Sequence, residues 1–215
     1  MILSLIKKEL LLNVKNISNL SHSMLFFIIS TSIFAFLSNA ENEQNALANM
    51  WVCLVFAIVL AANNHLQDDF DDGTFEQIFL SGCIFEIIIA TKIISSWLFN
   101  CLPLILIIPL VALILKIAPQ QILNLILVAT MATILISFVV SFGKALTLAS
   151  NKASTLLLVL ILPLLLPIII FANIAFVGGI EGLFDAIMLL GALLVFLVPV
   201  LTFATANAVK INLLD

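Results

Sequence analysis

The sequence predicts an all-α integral membrane protein, with six transmembrane helices behind an interfacial amphipathic N-terminal helix, all in one domain covering residues 1–215. Three observations predict this. Hydrophobic residues fill 64% of the 215 positions and charged residues 9%, whereas a soluble domain carries about 45–50% and about 25%. Mean hydropathy is +1.32. A helix needs about 20 apolar residues to cross a bilayer, so this length holds six crossings with short loops and leaves no room for a separate soluble catalytic domain.

Residues 1–16 read as an amphipathic helix on the membrane surface. Ile2, Leu5, Ile6, Leu10 and Leu12 are apolar, while Lys7, Lys8, Glu9 and Lys15 suit the headgroups. Lys7-Lys8-Glu9 interrupts the apolar residues, so no cleaved signal peptide is expected. The first span covers residues 21–38, and a polar loop with Glu41 and Glu43 runs over 40–49. The second span covers 48–65, and a polar island fills 67–82. The third span runs over 86–115, long enough to tilt. A loop with Pro119 follows at 116–121, and the fourth span covers 122–142. Residues 143–152 form a short loop before the fifth span at 153–176. A loop with Gly178, Gly179, Glu181 and Asp185 precedes the sixth span at 186–206, and 207–215 is a tail.

The lysines orient these spans. With the N-terminus inside, Lys7, Lys8, Lys15, Lys92, Lys144, Lys152 and Lys210 lie on the inner side and Lys116 alone on the outer side. Such an asymmetry places both termini and the polar island in the cytoplasm or an equivalent compartment.

The island, Gln67 to Gly82, carries Asp68, Asp69, Asp71, Asp72 and Glu76 among the twelve acidic residues of the chain. One Asp at the centre of a bilayer already costs roughly 2.5–3.5 kcal/mol, so this stretch is aqueous. Asp72-Gly73 signals a turn. Thr74 and Gln77 form a T-x-x-Q capping box, and Asp71 and Asp72 stand where a helix N-terminus favours negative charge. Phe75, Ile78 and Phe79 share one face. The pattern predicts a short surface helix from Thr74 to Ser81, with its phenylalanines beneath, and Gly82 ends it. Asp71, Asp72, Gly73, Thr74, Phe75, Glu76, Gln77, Ile78 and Phe79 are the candidate partner-binding residues.

Other chemistry is poorly supplied. An EF-hand loop ending its first half at Gly73 would need oxygen ligands at positions 70 and 79, and both are Phe. D-D-x-x-D at Asp68, Asp69 and Asp72 is similar to the Mg²⁺-diphosphate motif of membrane prenyltransferases. The chain offers no second acidic motif and no Arg, which leaves that reading a remote alternative. Cys53, Cys83 and Cys101 show no metal spacing, and no metal site is assigned. His22 and His65 fall at the inner ends of their spans; they are weak haem candidates and read first as interfacial polar residues. Glu86 and Lys92 are not on one helical face and are not expected to pair, and Lys92 can snorkel. Asn100, Thr130, Ser137 and Asn173 are sparse polar residues within spans, which argues weakly against a hydrophilic path. No Walker A motif, catalytic constellation or basic run suited to nucleic acid is present, so the chain is not expected to be an enzyme.

One resemblance covers nearly the whole chain. The arrangement of spans with a cytoplasmic surface helix between the second and third resembles an exporter-type ABC permease subunit. D-D-x-x-D-G-[ST]-x-E-Q, here Asp68 to Gln77, is similar to the corresponding loop of the haem exporter protein B (CcmB) family. Leu102-Pro103-Leu104, Pro109-Leu110-Val111-Ala112, Ala145-Leu146-Thr147, Leu162-Pro163-Leu164, Pro167, Phe171-Ala172 and Phe203-Ala204-Thr205-Ala206 resemble its later segments in order. The resemblance implies a permease subunit of the cytochrome c maturation system in a bacterial or mitochondrial inner membrane. It implies an ATPase subunit (A) that binds ATP, a haem-handling subunit (C), a small single-span subunit (D) and a haem chaperone (E) as partners, with haem as a possible transported species. A non-transporting assembly subunit is the alternative. The Trp-rich haem motif of the C subunit is lacking: the tryptophans are Trp51 and Trp97.

Overall fold

The computed structural model describes residues 17–37, 43–62, 65–80, 84–148, 153–176 and 179–214. These form α1 (Ile17–Leu37), α2 (Glu43–Ala61), α3 (His65–Asp71), α4 (Thr74–Leu80), α5 (Phe85–Ile114), α6 (Ile122–Leu146), α7 (Ala153–Ile174) and α8 (Gly179–Leu214). A 3₁₀ turn, Pro119–Gln121, leads into α6. The expected N-terminal helix over residues 1–16 lies outside the described residues.

Among the described residues, five helical segments are long and apolar enough to cross a membrane: Leu20–Leu37, Asn45–Asp71, Phe85–Ile114, Pro119–Leu146 and Gly179–Leu213. The fifth predicted span falls on α7, where Ile161–Ile174 is a shorter apolar helix. Helix α6 is the centre of the packing and touches α2, α3, α5, α7 and α8. Its Leu125, Val128, Ala129, Leu135, Ile136 and Val139 are buried. Leu106, Leu113, Leu123, Val195 and Phe196 point outward, as expected of a bundle whose surroundings are as apolar as its interior.

Several boundaries differ from the expectation. Helix α2 starts at Glu43 rather than at residue 48, and residues 179–185 belong to α8 rather than to a loop. Hydropathy marks only the apolar part of a helix, whereas polar first turns continue it into water. Helix α6 likewise runs on to Leu146, because the Lys144 ammonium donates to the Ala62 carbonyl at 2.6 Å and so is satisfied within the fold. The expected tail is helical to Leu214. There Ala208 and Val209 are buried and Asn212 Nδ2 donates to the Ala145 carbonyl at 3.1 Å. At 36 residues α8 is roughly 54 Å long, more than a bilayer core of about 30 Å needs.

The end of α5 shows how the chain reverses. Lys116 takes a left-handed conformation (φ 57°), the Ile117 amide bonds the Ala112 carbonyl at 2.9 Å and the Lys116 amide bonds Leu113 at 3.2 Å. These two bonds make a Schellman cap, with Pro119 just beyond it.

Candidate functional site: the acidic element and the polar seam

The polar island folds as two short helices joined at Gly73. The expected surface helix is present as α4 up to Leu80, its expected end at Ser81 and Gly82 lying outside the described residues, and it is preceded by α3, which carries Asp68, Asp69 and Asp71. The sequence reading did not foresee α3. Consecutive acids look like a break in the chain, yet Asp69 has a buried cation to meet and Gln67 Nε2 donates to Asp71 Oδ1 at 3.0 Å. Gly73 turns the corner at φ 67°, a conformation that favours glycine. Its carbonyl accepts the Gln77 amide at 3.3 Å. Gly73 is therefore the N-cap and Thr74 the first helical residue, one position earlier than the T-x-x-Q box implied.

The candidate residues divide by exposure. Asp71, Asp72, Glu76 and Gln77 are exposed, and Gly73, Thr74 and Ile78 are intermediate. Phe75 is fully buried, whereas Phe79 is 48% exposed. Phe75 thus serves the interior of the protein and not the membrane surface beneath the helix. Beside it, Glu76, Phe79 and Leu80 of α4 and Lys210 and Leu213 of α8 line an open groove of about 230 Å³. His22 is exposed on α1, and His65 opens α3. Among the described residues no group of three His, Cys, Asp or Glu side chains converges to hold a metal ion.

A continuous chain of contacts connects this element to the spans. Lys92 of α5, only 8% exposed, donates to Asp69 Oδ2 at 2.5 Å. The same ammonium lies 5.8 Å from the centre of the Phe75 ring, and Phe75 meets Phe85 edge-on with centroids 5.8 Å apart. Lys210 of α8 lies 5.5 Å from the Phe85 ring and donates to Glu86 Oε1 at 2.7 Å. These are cation–π and aromatic distances. Lys92 does not snorkel, because a buried ammonium with a carboxylate partner has no need to reach water. As expected, Lys92 and Glu86 pair elsewhere and not with each other.

The sequence reading named Asn100, Thr130 and Ser137 singly and missed the feature that joins them. Lys92, Ser96 and Asn100 recur every fourth residue on α5, and Thr130, Thr133, Ser137, Ser141 and Lys144 recur every third or fourth on α6. The two series face one another. Trp97 Nε1 donates to Thr133 Oγ1 at 3.1 Å, Asn100 Nδ2 donates to Ser96 Oγ at 3.1 Å, and Cys101 Sγ and Ser137 Oγ are 3.4 Å apart. At the lysine end the seam opens into a cavity of about 30 Å³. Asn173 falls on α7 and does not line it. The signal was the helical spacing of the polar residues, which a windowed hydropathy average removes.

Comparison with known families fits this architecture. The family model described as CcmB protein matches residues 1–212. This chain belongs to the CcmB family. It is 29% identical over 114 residues to heme exporter protein B of Pseudomonas aeruginosa, covering 52% of this chain and 51% of that protein. It is 28% identical over 117 residues to heme exporter protein B of Haemophilus influenzae, covering 53% of each. The matched stretch thus spans about half the length of these CcmB relatives.

Proposed function

We propose that this chain is the six-span permease subunit of an ABC-type complex in cytochrome c biogenesis. It would couple ATP hydrolysis in a separate ATPase subunit to export of haem or to release of haem-loaded chaperone. The haem-handling subunit, the small single-span subunit and the chaperone complete the set of partners. The complex sits in an inner membrane with both termini of this chain inside, a placement supported by the lysine asymmetry.

One observation carries the reading. The two short helices that carry the exposed acids are joined through Asp69, Lys92, Phe75, Phe85 and Lys210 to both α5 and α8. An ATPase that grips Asp71, Asp72, Glu76 and Phe79 thereby has a hold on two spans. Buried polar groups are costly among membrane helices, so the α5–α6 seam supports a permease over a purely structural assembly subunit. The prenyltransferase reading loses support, since Asp69 is engaged by Lys92.

The test is co-purification of the ATPase from detergent with the wild type and with Asp71→Lys/Glu76→Lys. Capture by the wild type and loss of capture, or loss of haem-stimulated hydrolysis, in the variant is the expected result. Equal capture together with normal c-type cytochrome maturation would sink the assignment of α4 as the docking element.

A further inference from the structure

We propose that the lysine end of the α5–α6 seam is a carboxylate-binding site, and that its ligand is a propionate arm of the haem cargo. This rests on the function proposed above and adds a place within it. The cavity lies where α2, α3, α5 and α6 meet, and its polar lining is Lys92, Ser96, Asn100, Ser137, Ser141 and Lys144. At about 30 Å³ it has room for a water or a carboxylate-sized group and none for a macrocycle.

The lining favours an acceptor-rich ligand. Two ammoniums can only donate, with three N–H groups each, and the hydroxyls and the carboxamide of Asn100 can donate as well. Among the described residues no Asp or Glu lines the cavity, so a metal ion finds no carboxylate ligand in its wall. A carboxylate offers two acceptor oxygens and negative charge to a site made of donors, and charge-assisted bonds of this kind are about twice as strong as neutral ones. The apolar macrocycle stays outside, among the apolar residues of the neighbouring helices, so the site reads one end of an amphiphile.

The resting partners of the two lysines add a consequence. Lys92 donates to Asp69 and Lys144 to the Ala62 carbonyl, and the Asp68 carboxylate is within electrostatic reach of Lys144. A carboxylate arriving in the cavity competes with Asp69 for Lys92. Occupation thus loosens the contact by which α3 is held to α5, and the acidic element senses whether cargo is present.

The test uses the full chain in lipid nanodiscs, titrated with haem and with haem dimethyl ester and followed in the Soret band. Haem is expected to bind about tenfold or more tightly than its diester. Lys144→Gln should remove that preference and Lys144→Arg should keep it. Equal binding of haem and diester by the wild type, a measurement that needs no variant, overturns the site. So does an undiminished preference in Lys144→Gln, or the absence of a Soret change with either ligand. Displacement of haem by millimolar acetate would assign the cavity to small free carboxylates and overturn the cargo assignment. Capture of the ATPase, measured on the same variants, reports separately on the permease reading, so failure of the site leaves that reading standing.

Discussion

Lys210 and Glu86 meet at 2.7 Å across 124 positions of chain. The contact pins the end of α8 to the start of α5, beside the acidic element. Both side chains are about one-third exposed, at 28% and 31%, and pairs open to water contribute about 0.2–1 kcal/mol. Glu86→Gln is therefore expected to lower stability by less than about 1 kcal/mol in thermal unfolding in detergent. A much larger loss would mean that the pair is shielded in the membrane.

Asp69 and Lys92 form the contrasting pair, at 19% and 8% exposure. Removing one partner of a buried pair leaves an uncompensated charge and costs about 3–5 kcal/mol. Asp69→Ala should fall near the low end of that range, because Asp69 keeps some contact with water. Asp69→Leu/Lys92→Met should recover most of the loss. If the double variant unfolds as readily as the single one, the charge imbalance is not the cause.

Phe75 and Phe79 are neighbours on one helix with different tasks. Phe75 is fully buried against Phe85, and truncating such a ring costs about 3–5 kcal/mol. Phe75→Ala should show a large drop in thermal stability. Phe79→Ala should leave stability nearly unchanged and weaken capture of the ATPase. The reverse pattern would exchange their roles.

Two glycines should fail for different reasons. An added Cβ at Gly73 meets nothing within 4 Å, so the penalty of Gly73→Ala comes from φ 67° alone, roughly 1–2 kcal/mol, and Gly73→Asn should be milder. At Gly182 the added Cβ would stand 2.7 Å from the Ile174 carbonyl oxygen. Gly182→Ala must then move α7 against α8, an overpacking cost of about 1–3 kcal/mol. Unfolding curves of the three variants distinguish strain confined to the backbone from a displaced helix.

These contrasts also indicate what could be read in advance. The long apolar spans and the short helix at Thr74 were legible because hydropathy and turn chemistry are local. The bond from Asp69 to Lys92 was not, since nothing in a separation of 23 residues marks a contact. The buried role of Phe75 followed from that same contact: facing α5 and facing the membrane give one helical pattern. The polar seam was present in the spacing of Lys92, Ser96 and Asn100, but those residues gain meaning only when Ser137, Ser141 and Lys144 are known to face them. Polar ends of helices, such as Glu43 or residues 207–214, read as loops because solubility and helicity are separate properties.

The row of charges and rings from Asp69 to Glu86, an ion pair at each end and two rings between, has a mechanical consequence. Ring-edge and cation–ring contacts resist being pressed together and lose their attraction within a few ångströms of separation. The row of contacts behaves as a strut and not as a spring. A displacement of α4 toward the row is thereby shared between α5 and α8 and is not taken up by one of them alone.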